Sequence, residues 1–157
     1  VKPGISTTDQ REEGFKAAMA NYPDITVLET QFNDDDANKA SAQVNAVVAR
    51  APDLAGIFGA NLFSAIGSAD GVKAMGKSGE IKVVAFDAPT RIVDDLKSGL
   101  VDMAIAQHPA EIGYMGVMVA FGHVTGNPVP VSVGTGFTVM TADNIDDPDI
   151  SKYVYSD

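Results

Sequence analysis

The stretch VVAFDAP (83–89) runs four apolar residues into an aspartate, an alanine and a proline. Taken alone, it reads as a strand whose Asp87 caps a following helix, with proline at the first helical position. The arrangement recurs along the chain, however. ITVLETQF (25–32) runs into Asn33 and three aspartates, LAGIFG (54–59) into Asn61, and VDMAIAQ (101–107) into Gln107. Each apolar run is short and strand-like, and each ends in a group able to hydrogen-bond a hydroxyl.

Helical patterns lie between these runs. TTDQ (7–10) offers a capping box of Thr7 with Gln10, and Phe15, Ala18, Met19 and Tyr22 then recur on one face until Pro23. In 33–50, Ala40, Val44, Val47 and Val48 mark a second face. Further helices are predicted from Asn61 to about Met75, from Pro89 to Ser98 before Gly99, and from His108 or Pro109 to about Thr125. VSVGTGFTVMT (131–141) reads as an extended return strand, and the acidic tail as loop with a short helical turn.

Strands alternating with helices over short connections predict an α/β fold, a three-layer sandwich with a doubly wound parallel sheet and strand 81–86 central. In such a sheet the carboxyl ends of the strands share one rim, beside the crevice where ligands bind. A rim of aspartate, asparagine and glutamine suits a neutral polyhydroxylated molecule better than a phosphate. Arg11 adds to this. It lies four residues before Phe15, on the predicted buried side, and in a first turn where a cation opposes the helix dipole. A crevice position beside Asp87 accounts for it, as does a surface bridge to Glu12 or Glu13.

Composition bounds the function. The chain has 157 residues, 45% apolar and 20% charged, with a net charge of −10. That average field repels nucleic acid and anionic membrane surfaces, whereas a neutral ligand is indifferent to it. There is no cysteine, which excludes thiolate metal sites and cysteine nucleophiles. The longest apolar stretch (112–124) is too short for a membrane span.

Four motifs, TTDQREEGFKAA (7–18), IFGANLFSAIG (57–67), VVAFDAP (83–89) and IAQHPAEIGYMGV (105–117), together resemble the C-terminal lobe of type I periplasmic sugar-binding proteins. These are the ribose-binding-protein-like solute receptors of ABC importers, and the similarity runs from about Ile5 to Asp146. The resemblance implies a flavodoxin-like lobe and capture of a monosaccharide or sugar alcohol outside the cytoplasm. It implies no catalysis and no cofactor, with an ABC permease as partner. By position it implies ligand contacts from Arg11, Asn61, Asp87 and Gln107. Leu62 stands where many relatives carry an acidic residue. Near Asp35, where some relatives stack an aromatic on the sugar, this chain has aspartates. Asp35 is therefore a further candidate, and a stacking ring is expected from the other lobe, Phe63 or Phe137.

An effector-binding domain of a lactose-repressor-type regulator shares this fold and is the alternative; a small doubly wound enzyme is the third. DDDAN (34–38) fails as a calcium loop, because Lys39 and Asn45 stand where glycine and glutamate are needed; a solvated helix cap is the reading there. VGTGFTV (133–139) lacks the third glycine of a dinucleotide fingerprint. No nucleophile elbow is present, Gln107 stands where a receiver domain needs lysine, and His108 and His123 read as structural.

The expected organisation is a ligand-binding lobe at 1–107, a helix and hinge-crossing segment at 108–136, and a return strand and tail at 137–157. In the order 2-1-3-4-5 the first strand is central, and VKPGIS (1–6) supplies only a loop before the first helix. Strands 25–32 and 54–59 would flank an empty slot. The expectation is a chain about twice as long, whose N-terminal lobe lies outside these residues and receives the apolar helix of 108–125.

Overall fold

A computed structural model describes residues 1–155; the last two residues of the predicted tail segment lie outside the described residues. The elements are α1 (Ser6–Met19), α2 (Ala37–Arg50), β1 (Gly56–Gly59), α3 (Leu62–Ala74), β2 (Lys82–Phe86), α4 (Thr90–Lys97), β3 (Met103–Gln107), α5 (Pro109–Val124), β4 (Phe137–Met140) and α6 (Pro148–Ser151). Among the described residues they form one sheet in the order β1-β2-β3-β4. β1, β2 and β3 are parallel, as βαβ units require, while β4 is antiparallel to β3. The parallel core is the one expected, and the return strand is its antiparallel edge. Gln107 pairs with Phe137, so the excursion through α5 returns to the same rim it left, and the chain must run back along β3. The return strand occupies only the last part of its predicted stretch.

Alternation along the strands sorts the two faces. Val83, Ala85, Ala104 and Ala106 are fully or almost fully buried beneath α3 and α4. Ile92 and Leu96, one turn apart on α4, show no exposure, and neither do Ala65, Ala69 and Val72 of α3. α2 lies over α3 through Ala40, Val44 and Val48. Their close crossing depends on two glycines. A Cβ at Gly67 would stand 2.3 Å from the Ala37 carbonyl oxygen, and one at Gly71 2.8 Å from the Val44 Cβ.

α1 lies on the opposite face and touches it through two side chains, leaving that face half-buried. Phe15 stacks on Phe58 with ring centroids 5.5 Å apart, and Arg11 lies over Phe86. Its predicted buried face is only partly realised: Phe15 and Met19 are half-buried, Ala18 is exposed and Tyr22 is 57% exposed. The predicted capping box is absent. Ile5 is the N-cap, and the Thr8 hydroxyl donates to its own helix at the Ile5 carbonyl (3.0 Å) instead. The helix ends at Met19, one turn before Pro23.

The predicted strand 25–32 is not in the sheet. A strand is defined by its pairing, and among the described residues β1 pairs only with β2. The segment lies outside the ladder with Ile25, Val27 and Leu28 exposed, held by side chains such as Gln43, whose amide donates to the Phe32 carbonyl at 2.9 Å. α5 carries no buried residue; Tyr114, Val117, Phe121 and Val124 are all open to solvent. Among the described residues, no helix is long and apolar enough to cross a membrane.

Candidate functional site

The tips of β1, β2 and β3 lie side by side, and the polar groups that follow them form a row. At the β1 tip, Asn61 caps α3 by accepting the Ser64 N–H (3.0 Å) and donates its amide to Asp35 Oδ1 (2.7 Å). At the β2 and β3 tips, the Gln107 amide donates to Asp87 Oδ1 at 2.7 Å. Arg11 spans the two groups. Its Nη1 donates to the Ala60 carbonyl beside Asn61 (2.9 Å), and its guanidinium carbon lies 3.6 Å above the ring of Phe86, beside Asp87.

Asp87 does not cap α4. Pro89 is the N-cap and makes no side-chain cap bond, so the bland reading of 83–89 is overturned. Asp87 instead has φ +77°, a left-handed conformation that L-residues with a Cβ adopt at a cost of about 1–2 kcal/mol. Strain of this kind persists only where the surroundings over-determine it, and it concentrates at functional sites. Asp35 is left-handed too, at φ +61°. The cap of α2 is Asp36, which accepts from the Asn38 and Lys39 N–H groups, as the solvated-cap reading of 34–38 predicts.

Arg11 and Asp87 approach one another without bonding directly, since each is held by another partner. Burial draws Arg11 below the ordinary guanidinium range, and the negative charge of Asp87 opposes that shift. The structure thus brings Arg11, Asp35, Asn61, Asp87 and Gln107 along one rim. Phe137 joins them as the register partner of Gln107, 66% exposed. Phe63 is 45% exposed on the first turn of α3. Asn33 leaves the row: it is 2% exposed and donates to the Ser64 hydroxyl at 3.1 Å. His108 is a packing residue, stacked on Tyr153 and bonded to the Thr138 hydroxyl at 2.8 Å. Among the described residues, no cluster of histidine or carboxylate side chains could hold a metal.

Sequence reasoning missed Tyr155. The Ala88 N–H donates to its hydroxyl at 3.3 Å, and its own backbone bridges Pro89. Nothing in the acidic tail distinguishes this tyrosine from Tyr153.

Residues 2–128 match the family described as periplasmic binding protein domain. The chain belongs to that family. It is 65% identical to an ABC transporter solute-binding protein from Agrobacterium vitis solved with α-D-tagatopyranose, with a TM-score of 0.97. That match covers 100% of this chain and 53% of the other. A second Agrobacterium vitis ABC transporter solute-binding protein, with bound D-fucose, is 28% identical with a TM-score of 0.87, over 92% of this chain and 50% of that one. The ribose import binding protein of Haemophilus influenzae is 32% identical over 138 residues, 88% of this chain and 46% of that protein. The chain therefore spans about half the length of these relatives.

Proposed function

We propose that this chain is one binding lobe of an extracytoplasmic solute receptor that captures a monosaccharide and presents it to an ABC importer, without chemistry. The observation that carries this is the row at the strand tips, with Asp87 held left-handed and bonded to Gln107. A carboxylate accepts hydroxyl protons, the amides both accept and donate, and the Arg11 fork lies between the two groups. Asp35 stands near the place where some relatives stack a ring, and a carboxylate there favours a ligand with one more hydroxyl to satisfy, a hexose over a pentose. The relative bound to tagatopyranose supports a ketohexose.

In this reading, residues 1–107 form the lobe, 108–136 a helix and crossing segment that packs on a second lobe, and 137–157 the return strand and tail. The exposed apolar residues of α5 support that division. No observation favours the repressor-type effector domain.

The test is a thermal-shift and calorimetric screen of the full-length protein against D-tagatose, D-fucose, D-allose, D-ribose and D-arabinose. Sugar at 100 times its dissociation constant stabilises by about 2.7 kcal/mol. D-tagatose is expected to give the largest shift. No shift with any of the five overturns the reading.

A further inference from the structure

The turn that carries Asp87 is gripped by the far end of the chain. Ala88 donates its N–H to the Tyr155 hydroxyl (3.3 Å), the Tyr155 N–H returns to the Ala88 carbonyl (3.4 Å), and Pro89 and Tyr155 form an isolated parallel bridge. These contacts join residues 67 positions apart. They fall on the two residues after Asp87, whose left-handed φ has to be imposed from outside. Pro89 cannot donate, and Asp87's own N–H is already bonded to the Ile105 carbonyl (2.9 Å). Ala88 is thus the remaining backbone donor of the turn, and Tyr155 accepts from it.

Once its oxygen has accepted from Ala88, the phenol still has a proton to donate. Burial first, then the neighbouring Asp87 carboxylate, push Tyr155 up to about 12. The phenol therefore keeps its proton at every physiological pH. A carboxylate offers about four acceptor positions. Gln107 fills one, leaving others for a ligand.

We infer that Tyr155 is a positioning residue for ligand capture: its hydroxyl holds the Ala88 turn and orients the Asp87 carboxylate toward the rim. This rests on the proposed sugar-binding function. The residue holds the two positions that follow Asp87, and acts on the ligand through that turn.

The experiment uses the full-length protein, Tyr155→Phe, Asp87→Asn and the double variant, titrated with D-tagatose and D-allose by calorimetry or, for weak binding, NMR. Tyr155→Phe keeps the ring and is expected to weaken binding about fivefold or more. In the Asp87→Asn background the same change is expected to cost less than about twofold, because the effect passes through that carboxylate. Equal losses in both backgrounds would mean a merely structural tyrosine and overturn the inference, as would wild-type affinity in Tyr155→Phe. Ala88 amide exchange gives a reading that needs no sugar. It is expected to be slow in the wild type and faster in Tyr155→Phe. Fast exchange in the wild type overturns the clamp even if the variant fails to fold. Should D-tagatose and D-allose both fail, the same titrations use whichever of D-fucose, D-ribose and D-arabinose binds; a wild type that binds none of the five overturns the functional reading, and the positioning role falls with it.

Discussion

Asp87 concentrates three demands in one residue: a left-handed backbone, a carboxylate shared with Gln107, and an open position at the tip of β2. Two substitutions separate them. Asp87→Ala and Asp87→Gly both remove the acceptor, and hydrogen bonds to charged groups contribute about 1.5–3 kcal/mol. Calorimetry on the full-length protein should show sugar affinity falling at least about tenfold in each. Stability should part them, because alanine keeps the strained Cβ and glycine does not. Urea unfolding is expected to find Asp87→Gly the more stable by about 1 kcal/mol. Equal stabilities would mean that the turn imposes no strain. The candidacy of this residue was legible in 83–89, because an apolar run ending in a charge is conspicuous. Its conformation was not legible, since a favoured cap residue before a proline looks the same whether or not it caps.

At the scale of elements, the α2–α3 crossing sets helix propensity against packing. Alanine favours a helix over glycine by about 1 kcal/mol, so propensity alone makes Gly67→Ala stabilising. The Ala37 carbonyl oxygen and the Ala40 Cβ, 2.3 and 2.4 Å from the new methyl group, decide the other way. Backbone must shift, and overpacking costs about 1–3 kcal/mol. Thermal unfolding is expected to fall for Gly67→Ala and to rise slightly for Gly14→Ala, where nothing lies within 4 Å. A stabilised Gly67→Ala would show that the two helices part easily. α2 was readable because Ala40, Val44 and Val48 repeat at helical spacing and find the core they predict, and α3 and α4 from the end signals at Asn61 and Gly99. The segment 25–32 misled for the opposite reason. Its alternation is that of a strand, but strandhood needs a neighbour, and no periodicity within a segment reports whether one is there.

For the whole molecule, the tail is tied to the site across the length of the fold, and this has a pH signature. The Tyr155 phenol titrates at about 12 in the folded chain against an ordinary value of 10. The unfolded chain therefore loses this proton first as pH rises. The stabilisation is complete below about pH 10 and is lost between about pH 10 and 12. Unfolding midpoints at pH 9, 10 and 11 should fall more steeply for the wild type than for Tyr155→Phe. Parallel curves would place the tyrosine in solvent. The sequence could not announce this contact, since the motif-bearing residues end long before the tail and the bond joins an ordinary amide to an ordinary phenol.

In the proposed function, the Gln107–Asp87 bond also bears on how sugars that differ at a single carbon are told apart. Epimers have the same atoms, the same hydrophobicity and nearly the same shape, so a receptor that adjusts its groups to each would accept both. Here the groups at neighbouring strand tips are fastened to each other, which restrains both from following a misplaced hydroxyl. An inverted centre leaves a desolvated polar group without its partner, at about 1–3 kcal/mol. Discrimination then comes from the refusal of the rim to move, and loosening that one amide should make the receptor more permissive before it makes it weak.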